Sequence, residues 1–155
     1  MAVEAEAVVV ADTDRRPVRL TLFTVEEANR TLEEIKPELE AVVHAHRELG
    51  RVQARLVVLE LAVAGASEDN PDARELEAQH ARRESLVDRI RHGVDRIHRR
   101  GCVVKDLDRG LLDFYSLSGD RLIYLCWQLG EPEVAHWHTL DGGFAARRPV
   151  PGRPD

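Results

Sequence analysis

The sequence is poor in cysteine and aromatic residues and has no long hydrophobic run. Its two cysteines, Cys102 and Cys126, form neither a disulfide framework nor a C-x-x-C zinc motif. No segment approaches the roughly 20 apolar residues that a membrane-spanning helix needs. The short apolar run at residues 7–11 follows Glu4 and Glu6, where a secretory signal would carry positive charge. These absences argue against a disulfide-rich secreted scaffold and a membrane protein, and they favour a reducing, cytoplasmic location.

The charge balance narrows the class of partner. The net charge is -6, whereas proteins that bind nucleic acid non-specifically usually carry a basic face. Charged residues make up 32% of the chain, a share typical of long helices with solvent-facing sides. We therefore expect no nucleic-acid partner and a substantial helical content.

The pattern along the chain predicts one α+β domain. Residues 1–19 show no hydrophobic period and contain the polar run Asp-Thr-Asp-Arg-Arg-Pro, which predicts a mobile N-terminal arm. Residues 20–155 are expected to fold as a single domain, with a helical hairpin at about 24–100 and a β unit at about 102–150. The predicted fold is a long antiparallel helical hairpin followed by a small antiparallel β-meander.

The first helix has a clear start and one internal disturbance. Thr24 to Glu27 match a capping box, in which the threonine side chain accepts the third helical amide. Pro37 lacks an amide proton and predicts a kink or short break around Ile35 to Pro37. Gly65 is expected to end this helix, because glycine commonly follows the last helical residue. The apolar stripe of this helix recurs at steps of three and four: Leu39, Val42, His46, Leu49, Val52, Leu56, Leu59 and Val63.

The second helix is predicted from Asn70 to about Arg100. Asn70 can cap it, Pro71 suits the first helical position, and Asp72 favours the positive end of the helix dipole. Because its stripe has the same spacing, the two helices should pack as an antiparallel pair. The stripe consists of seven positions: Leu76, His80, Arg83, Val87, Ile90, Val94 and Ile97.

Four short β-prone runs follow Gly101. They cover residues 102–105, 111–117, 121–128 and 134–139, and turn residues separate them. Since successive side chains of a strand point to opposite faces, one face should be a core face: Leu112, Phe114, Ile123, Leu125 and Trp127. The other face collects polar groups: Asp113, Tyr115, Tyr124, Cys126, His136 and His138.

The polar face predicts a metal site. Carboxylate and imidazole groups are ligands expected for zinc, iron or manganese, and the candidate ligands are His138, Glu131, Asp113 and His136. The alternative is a solvated face, since antiparallel sheets often have one wet side. Cys126, between Leu125 and Trp127, is interpreted as a small buried residue. Lys105 and Arg147 are candidates for binding an anionic substrate group, although an ion pair that fixes the turn is the commoner outcome for Lys105 and a solvated basic pair explains Arg147 equally well.

Several motifs in order resemble DUF2203, a bacterial family of unknown function. His138, Glu131 and Asp113 match the family's motif positions, whereas that family usually has an aromatic residue where this chain has His136. Among the candidate ligands the resemblance therefore ranks His138 and Glu131 first, Asp113 next and His136 last. It implies no activity, because none is established for the family. The motifs that carry the resemblance are Phe23-Thr24-Val25-Glu26-Glu27-Ala28-Asn29, Val104-Lys105-Asp106, Gly110-Leu111-Leu112-Asp113-Phe114, Tyr124-Leu125-Cys126-Trp127, Leu129-Gly130-Glu131, Trp137-His138 and Gly143-Phe144.

Two functions follow as hypotheses. The first is a divalent-metal-binding domain that holds zinc or iron. If such a domain is an enzyme, we expect a small metal-dependent enzyme that acts on an anionic small molecule. The alternative is a non-enzymatic interaction or oligomerisation module built on the hairpin, because apolar positions lie beside the stripes, at Val43, Val58 and Leu61. A homodimer is compatible with both, since a symmetric pair can complete a site from two chains.

Overall fold

The computed structural model describes residues 7–10, 18–65 and 69–152. Two helices precede a five-stranded antiparallel sheet, so the predicted α+β class and the order of its parts are confirmed. In chain order the elements are β1 (Ala7–Val10), β2 (Val18–Thr21), α1 (Val25–Val63), α2 (Pro71–Arg99), β3 (Cys102–Asp106), β4 (Leu111–Ser118), β5 (Arg121–Gln128), β6 (His136–Thr139), a 3-10 turn (Phe144–Ala146) and β7 (Arg148–Pro149).

Helix α1 begins where the capping box predicts. The Thr24 side chain accepts a hydrogen bond from the Glu27 amide at 3.1 Å. A kink or a short break was expected near Pro37; no break occurs, because α1 continues through that residue to Val63, and the kink stays a prediction. Proline in a helix interior costs about 3 kcal/mol, and burial of Ile35 and Leu39 on either side of it offsets this cost.

Helix α2 is capped as predicted and runs antiparallel to α1. The Asn70 side chain accepts the Asp72 amide at 2.9 Å, and Pro71 opens the helix. Gly93 lies so close to α1 that a Cβ atom there would come within 2.2 Å of a Val42 methyl group. Ion pairs join the helices in reversed order along the chain, which is the pattern of an antiparallel hairpin: Glu34 with Arg100, Glu38 with Arg96, Glu48 with Arg82, and Arg55 with Glu75.

Part of the segment assigned to the arm forms regular structure. Strand β1 pairs antiparallel with β2, with Ala7 opposite Thr21 and Val10 opposite Val18. Sequence reasoning missed this pair. Residues 1–6 and 11–17 lie outside the described part of the chain, and the mobility of the arm stays a prediction.

The large sheet has the order β3-β4-β5-β6-β7, and all its pairs are antiparallel. The predicted meander is confirmed, and β7 is an additional short strand at its edge. One face packs against the hairpin in a core that joins Leu39 and Ile97 to Phe114, Leu125 and Trp127. Among the described helices, none combines the length and apolar composition needed to cross a bilayer.

The fourth predicted strand, at residues 134–139, begins two residues later than expected. The side chain of Asn29 on α1 accepts the Val134 amide at 2.7 Å and donates to the Val134 carbonyl at 3.3 Å. These bonds take the place of ladder hydrogen bonds, so the regular strand starts at His136. They also fix the approach to β6 against α1, which sets the position of the two histidines that follow.

Candidate metal centre

Strands β4, β5 and β6 bring the polar residues into two adjacent rows. Asp113 pairs with Cys126, which pairs with His136. Tyr115 pairs with Tyr124, which pairs with His138. All six residues lie on the sheet face opposite the helical hairpin, as the alternation predicts.

Three of these side chains form a compact group. One ligand atom each of Asp113, Cys126 and His138 lies within 4.8 Å of the others. The residues are 3%, 1% and 4% exposed, respectively. Buried polar groups without compensation are costly, and such groups are normally paired or coordinate metals. The group is therefore a candidate metal centre rather than a wet sheet face.

The ring of His138 is oriented by its own strand. Its Nδ1 lies 2.7 Å from the Thr139 carbonyl oxygen, and because a carbonyl can only accept, Nδ1 carries a proton and donates it. Nε2 then faces both carboxylate oxygens of Asp113, each at 3.2 Å. In the neutral ring Nε2 is the atom with the free lone pair, so a metal ion or a shared proton is needed between Nε2 and the carboxylate. A backbone carbonyl that fixes the tautomer in this way is a common companion of a metal-binding histidine.

Burial raises the pKa of the other two groups. Burial raises the pKa of Asp113 above its ordinary value, while His138 and Cys126 act in the opposite direction. Burial, together with the nearby Asp113 carboxylate, raises the pKa of the Cys126 thiol to about 12. Without a cation, the thiol is protonated at neutral pH. Metal coordination requires the thiolate, so binding a metal here displaces the thiol proton.

Glu131 and His136 belong to a neighbouring group, in which Arg147 forms an ion pair with Glu131. The Arg147 guanidinium donates to both Glu131 carboxylate oxygens, at 2.7 and 2.9 Å. The Gln128 amide donates to the same carboxylate at 2.7 Å. Burial opposes ionisation, but the Arg147 and Gln128 hydrogen bonds outweigh it and lower the pKa of Glu131. His136 Nδ1 lies 3.6 Å from the carboxylate, and this buried nitrogen has no hydrogen-bond partner among the described residues.

Lys105 lies on the other side of the candidate metal centre. Its ammonium group is 4.5 Å from the centre of the Tyr124 ring and 3.4 Å from the Tyr124 hydroxyl. That hydroxyl in turn donates to the Tyr115 hydroxyl at 3.1 Å. The Tyr124 ring also lies beside the His138 ring, with centroids 5.3 Å apart. Tyr124 therefore lies between an exposed lysine, which contacts its ring and hydroxyl, and the buried histidine, which contacts its ring.

The structure thus divides the residues that the sequence nominates as ligands. It brings Asp113 and His138 together, and it places Glu131 in an ion pair with Arg147 and beside His136. It also adds Cys126, which sequence reasoning placed on this face but interpreted as a packing residue. The available signal was the strand register, since Cys126 is directly opposite Asp113 in the β4–β5 pair.

A helical hairpin on one face of an antiparallel sheet, with a buried carboxylate, thiol and imidazole on the other face, defines an α+β domain with a candidate metal centre. The chain belongs to the DUF2203 family, described as uncharacterized conserved protein, whose model matches residues 21–150. This confirms the resemblance found in the sequence. No curated protein and no solved structure matches the chain.

Proposed function

We propose that this protein is a divalent-metal-binding domain whose ligands are Asp113, Cys126 and His138. The observation that carries the proposal is the convergence of their three ligand atoms within 4.8 Å in a buried setting. The orientation of the His138 lone pair toward Asp113 supports it, because the Thr139 carbonyl holds the ring in the ligand tautomer. Glu131 and His136 stand outside this ligand set, since Arg147 occupies both oxygens of Glu131.

The donor set favours zinc, with iron as the second choice. Thiolate and imidazole are borderline-soft ligands that suit both metals, whereas magnesium and calcium prefer oxygen ligands alone. Three protein ligands leave the fourth position of a tetrahedral ion for water or substrate, as in catalytic zinc sites. A metal held this way polarises a bound oxygen or lowers the pKa of bound water to about 7. The activity that we propose for such a site is that of a small metal-dependent enzyme that acts on an anionic small molecule.

Arg147 and Lys105, the two residues that the sequence suggests for binding an anionic substrate group, have different surroundings. Arg147 is bound to Glu131 and stacks at 4.3 Å on the Phe144 ring, so we assign it to holding Glu131 in place. Lys105 is exposed and close to Tyr124, and it is the better candidate for an anionic substrate group. The two free cysteines, Cys102 and Cys126, favour a reducing compartment such as the cytoplasm.

Cobalt(II) titration tests the ligand set, because cobalt reports on the zinc environment through its absorption. Metal-free protein titrated with cobalt(II) should develop a near-ultraviolet band from thiolate-to-cobalt charge transfer and saturate at one equivalent. The Cys126→Ala variant should lose this band, whereas Glu131→Gln should retain it. A wild type without the band, or a Cys126→Ala variant that keeps it, contradicts the ligand assignment.

A second proposal is self-association through the outer end of α1. Val57, Val58 and Leu61 lie within the last two turns of this helix and are 59%, 53% and 76% exposed. Val43, also nominated from the sequence, is buried in the core and takes no part. Exposed apolar groups that cluster on one helix are typical of interaction surfaces. Sedimentation velocity should show a dimer that Leu61→Glu disrupts, and a wild type that stays monomeric at high concentration contradicts homotypic assembly.

A further inference from the structure

A cleft of about 630 Å³ lies between α1 and two turns of the sheet, and none of the candidate metal ligands Asp113, Cys126 and His138 lines it. The β3–β4 turn contributes Asp108 and Arg109, and the β5–β6 turn contributes residues 128–130. A volume of this size is typical of small-molecule sites. The face of α1 that lines it consists of five residues: Lys36, Glu40, Val43, His44 and Arg47.

The cleft concentrates positive charge on an acidic protein. Lys36, Arg47 and Arg109 line it together with His44, against the carboxylates of Glu40 and Asp108. One of those carboxylates is already engaged, because Asp108 Oδ1 lies 2.9 Å from His46 Nε2. In the part of the chain that the structure describes, no hydrogen bond or ion pair joins the side chain of Lys36 or Arg47 to a carboxylate. The net charge of the whole chain is -6, so a local excess of unpaired cations differs from the rest of the protein. Such an excess favours an anionic ligand.

The hydrogen bond between His46 and Asp108 joins α1 to the β3–β4 turn beside two arginines that line the cleft. Arg47 directly follows His46 on α1, and Arg109 directly follows Asp108 in the turn, and both line the cavity. The Arg109 guanidinium carbon is 5.5 Å from the centre of the Phe144 ring. A ring contact of this kind orients a guanidinium while leaving its N–H groups free to donate. Paired guanidinium groups match the geometry of phosphate oxygens.

From these observations we infer that the cleft binds a small molecule bearing a phosphate group, with Arg47 and Arg109 as the partners of that group. Lys36 lies eleven residues before Arg47, which is roughly 16 Å along the helix axis. The remainder of the ligand extends along α1 toward Lys36, over the polar groups of Glu40 and His44. The inference concerns a site separate from the candidate metal centre, and its test needs no metal.

Calorimetric titration of the metal-free, full-length protein tests the inference. Two probes distinguish the source of the phosphate: inorganic pyrophosphate, and glucose 6-phosphate as a phosphomonoester with an organic part. At least one of the two probes should bind saturably. Tighter binding of glucose 6-phosphate would indicate that the rest of the cleft contacts the organic part of the ligand. Arg47→Gln and Arg109→Gln should each weaken binding roughly tenfold, because each removes a charge-assisted hydrogen bond.

Arg89→Gln is the matched control, since Arg89 is an exposed arginine on α2 away from the residues that line the cleft. It should leave the affinity unchanged within twofold. All three substitutions replace exposed side chains, and circular dichroism confirms that the variants are folded. Absence of saturable binding of both probes overturns the inference. Binding that Arg47→Gln and Arg109→Gln do not weaken beyond Arg89→Gln also overturns it.

Discussion

His138 Nε2 lies 3.2 Å from each carboxylate oxygen of Asp113, and each of the two side chains is 4% exposed. Removing one partner of a buried polar pair leaves the other without compensation. In metal-free protein, His138→Ala should therefore lower the free energy of unfolding by about 2–4 kcal/mol. Urea denaturation in the presence of a chelator measures this loss.

His80→Ala is the control for that measurement. His80 lies on α2, its side chain is 48% exposed, and its nearest carboxylate, on Glu60, is 3.7 Å away. Exposed pairs of this kind contribute at most about 1 kcal/mol. Similar losses in the two variants would contradict the view that His138 and Asp113 form a buried, mutually dependent pair.

The ion pair between Glu131 and Arg147 predicts a pH-dependent stability. The pKa of Glu131 is lower in the folded chain than its ordinary value, so the unfolded chain takes up a proton first as the pH falls. The stabilisation is complete above the ordinary glutamate pKa of about 4.3 and is lost as the pH falls through the folded value. Glu131→Gln should destabilise the protein by about 1–2 kcal/mol at pH 7.

Urea denaturation at neutral pH and near pH 3 separates this effect from a general loss of packing. The difference in free energy of unfolding between wild type and Glu131→Gln should shrink at the lower pH, because protonation of the carboxylate removes the charge that pairs with Arg147. Glu84→Gln, at an exposed position of α2, should show no difference at either pH. A Glu131→Gln difference that is the same at both pH values would rule out the ion pair as its cause.

Two glycines within the helices should respond to alanine in opposite directions. A Cβ atom at Gly93 would lie 2.2 Å from a Val42 methyl group, so Gly93→Ala should destabilise the hairpin by about 1–3 kcal/mol despite the better helix propensity of alanine. A Cβ atom at Gly50 meets nothing within 4 Å, and Gly50→Ala should stabilise by about 0.5–1 kcal/mol. Thermal denaturation of both variants measures the signs, and stabilisation by both would contradict the close packing at Gly93.

Local signals in the sequence predicted most of the fold. The caps at Thr24 and Asn70 act through neighbouring backbone amides, and strand alternation depends on the backbone alone, so both are readable without tertiary information. Of the kink or short break expected at Pro37, the break does not occur, because burial of Ile35 and Leu39 against distant strands outweighs a local penalty. Strands β1 and β7 contain four and two residues, and runs this short carry little alternation by which a sequence can predict them.

The sequence predicted which face of the sheet carries the candidate site, but it did not predict which residues on that face form the ligand set. Alternation places Asp113, Cys126 and His138 on one side of the sheet. Which of them converge depends on register and side-chain direction, since Asp113 and His138 lie on strands separated by β5 and meet diagonally across it. Glu131 follows a turn, where sequence gives no side-chain direction, and Arg147 binds it from sixteen residues away.

Elemental analysis of purified, tag-free protein tests the central claim most directly, with Cys126→Ala and Cys102→Ala measured beside it. Both cysteines are buried and free, but only Cys126 lies beside Asp113 and His138 in the described structure. The expected result is near-stoichiometric zinc or iron in the wild type and in Cys102→Ala, and its loss in Cys126→Ala. A folded wild type that contains no metal and takes none up, or a Cys126→Ala variant with full metal content, would contradict the proposed centre.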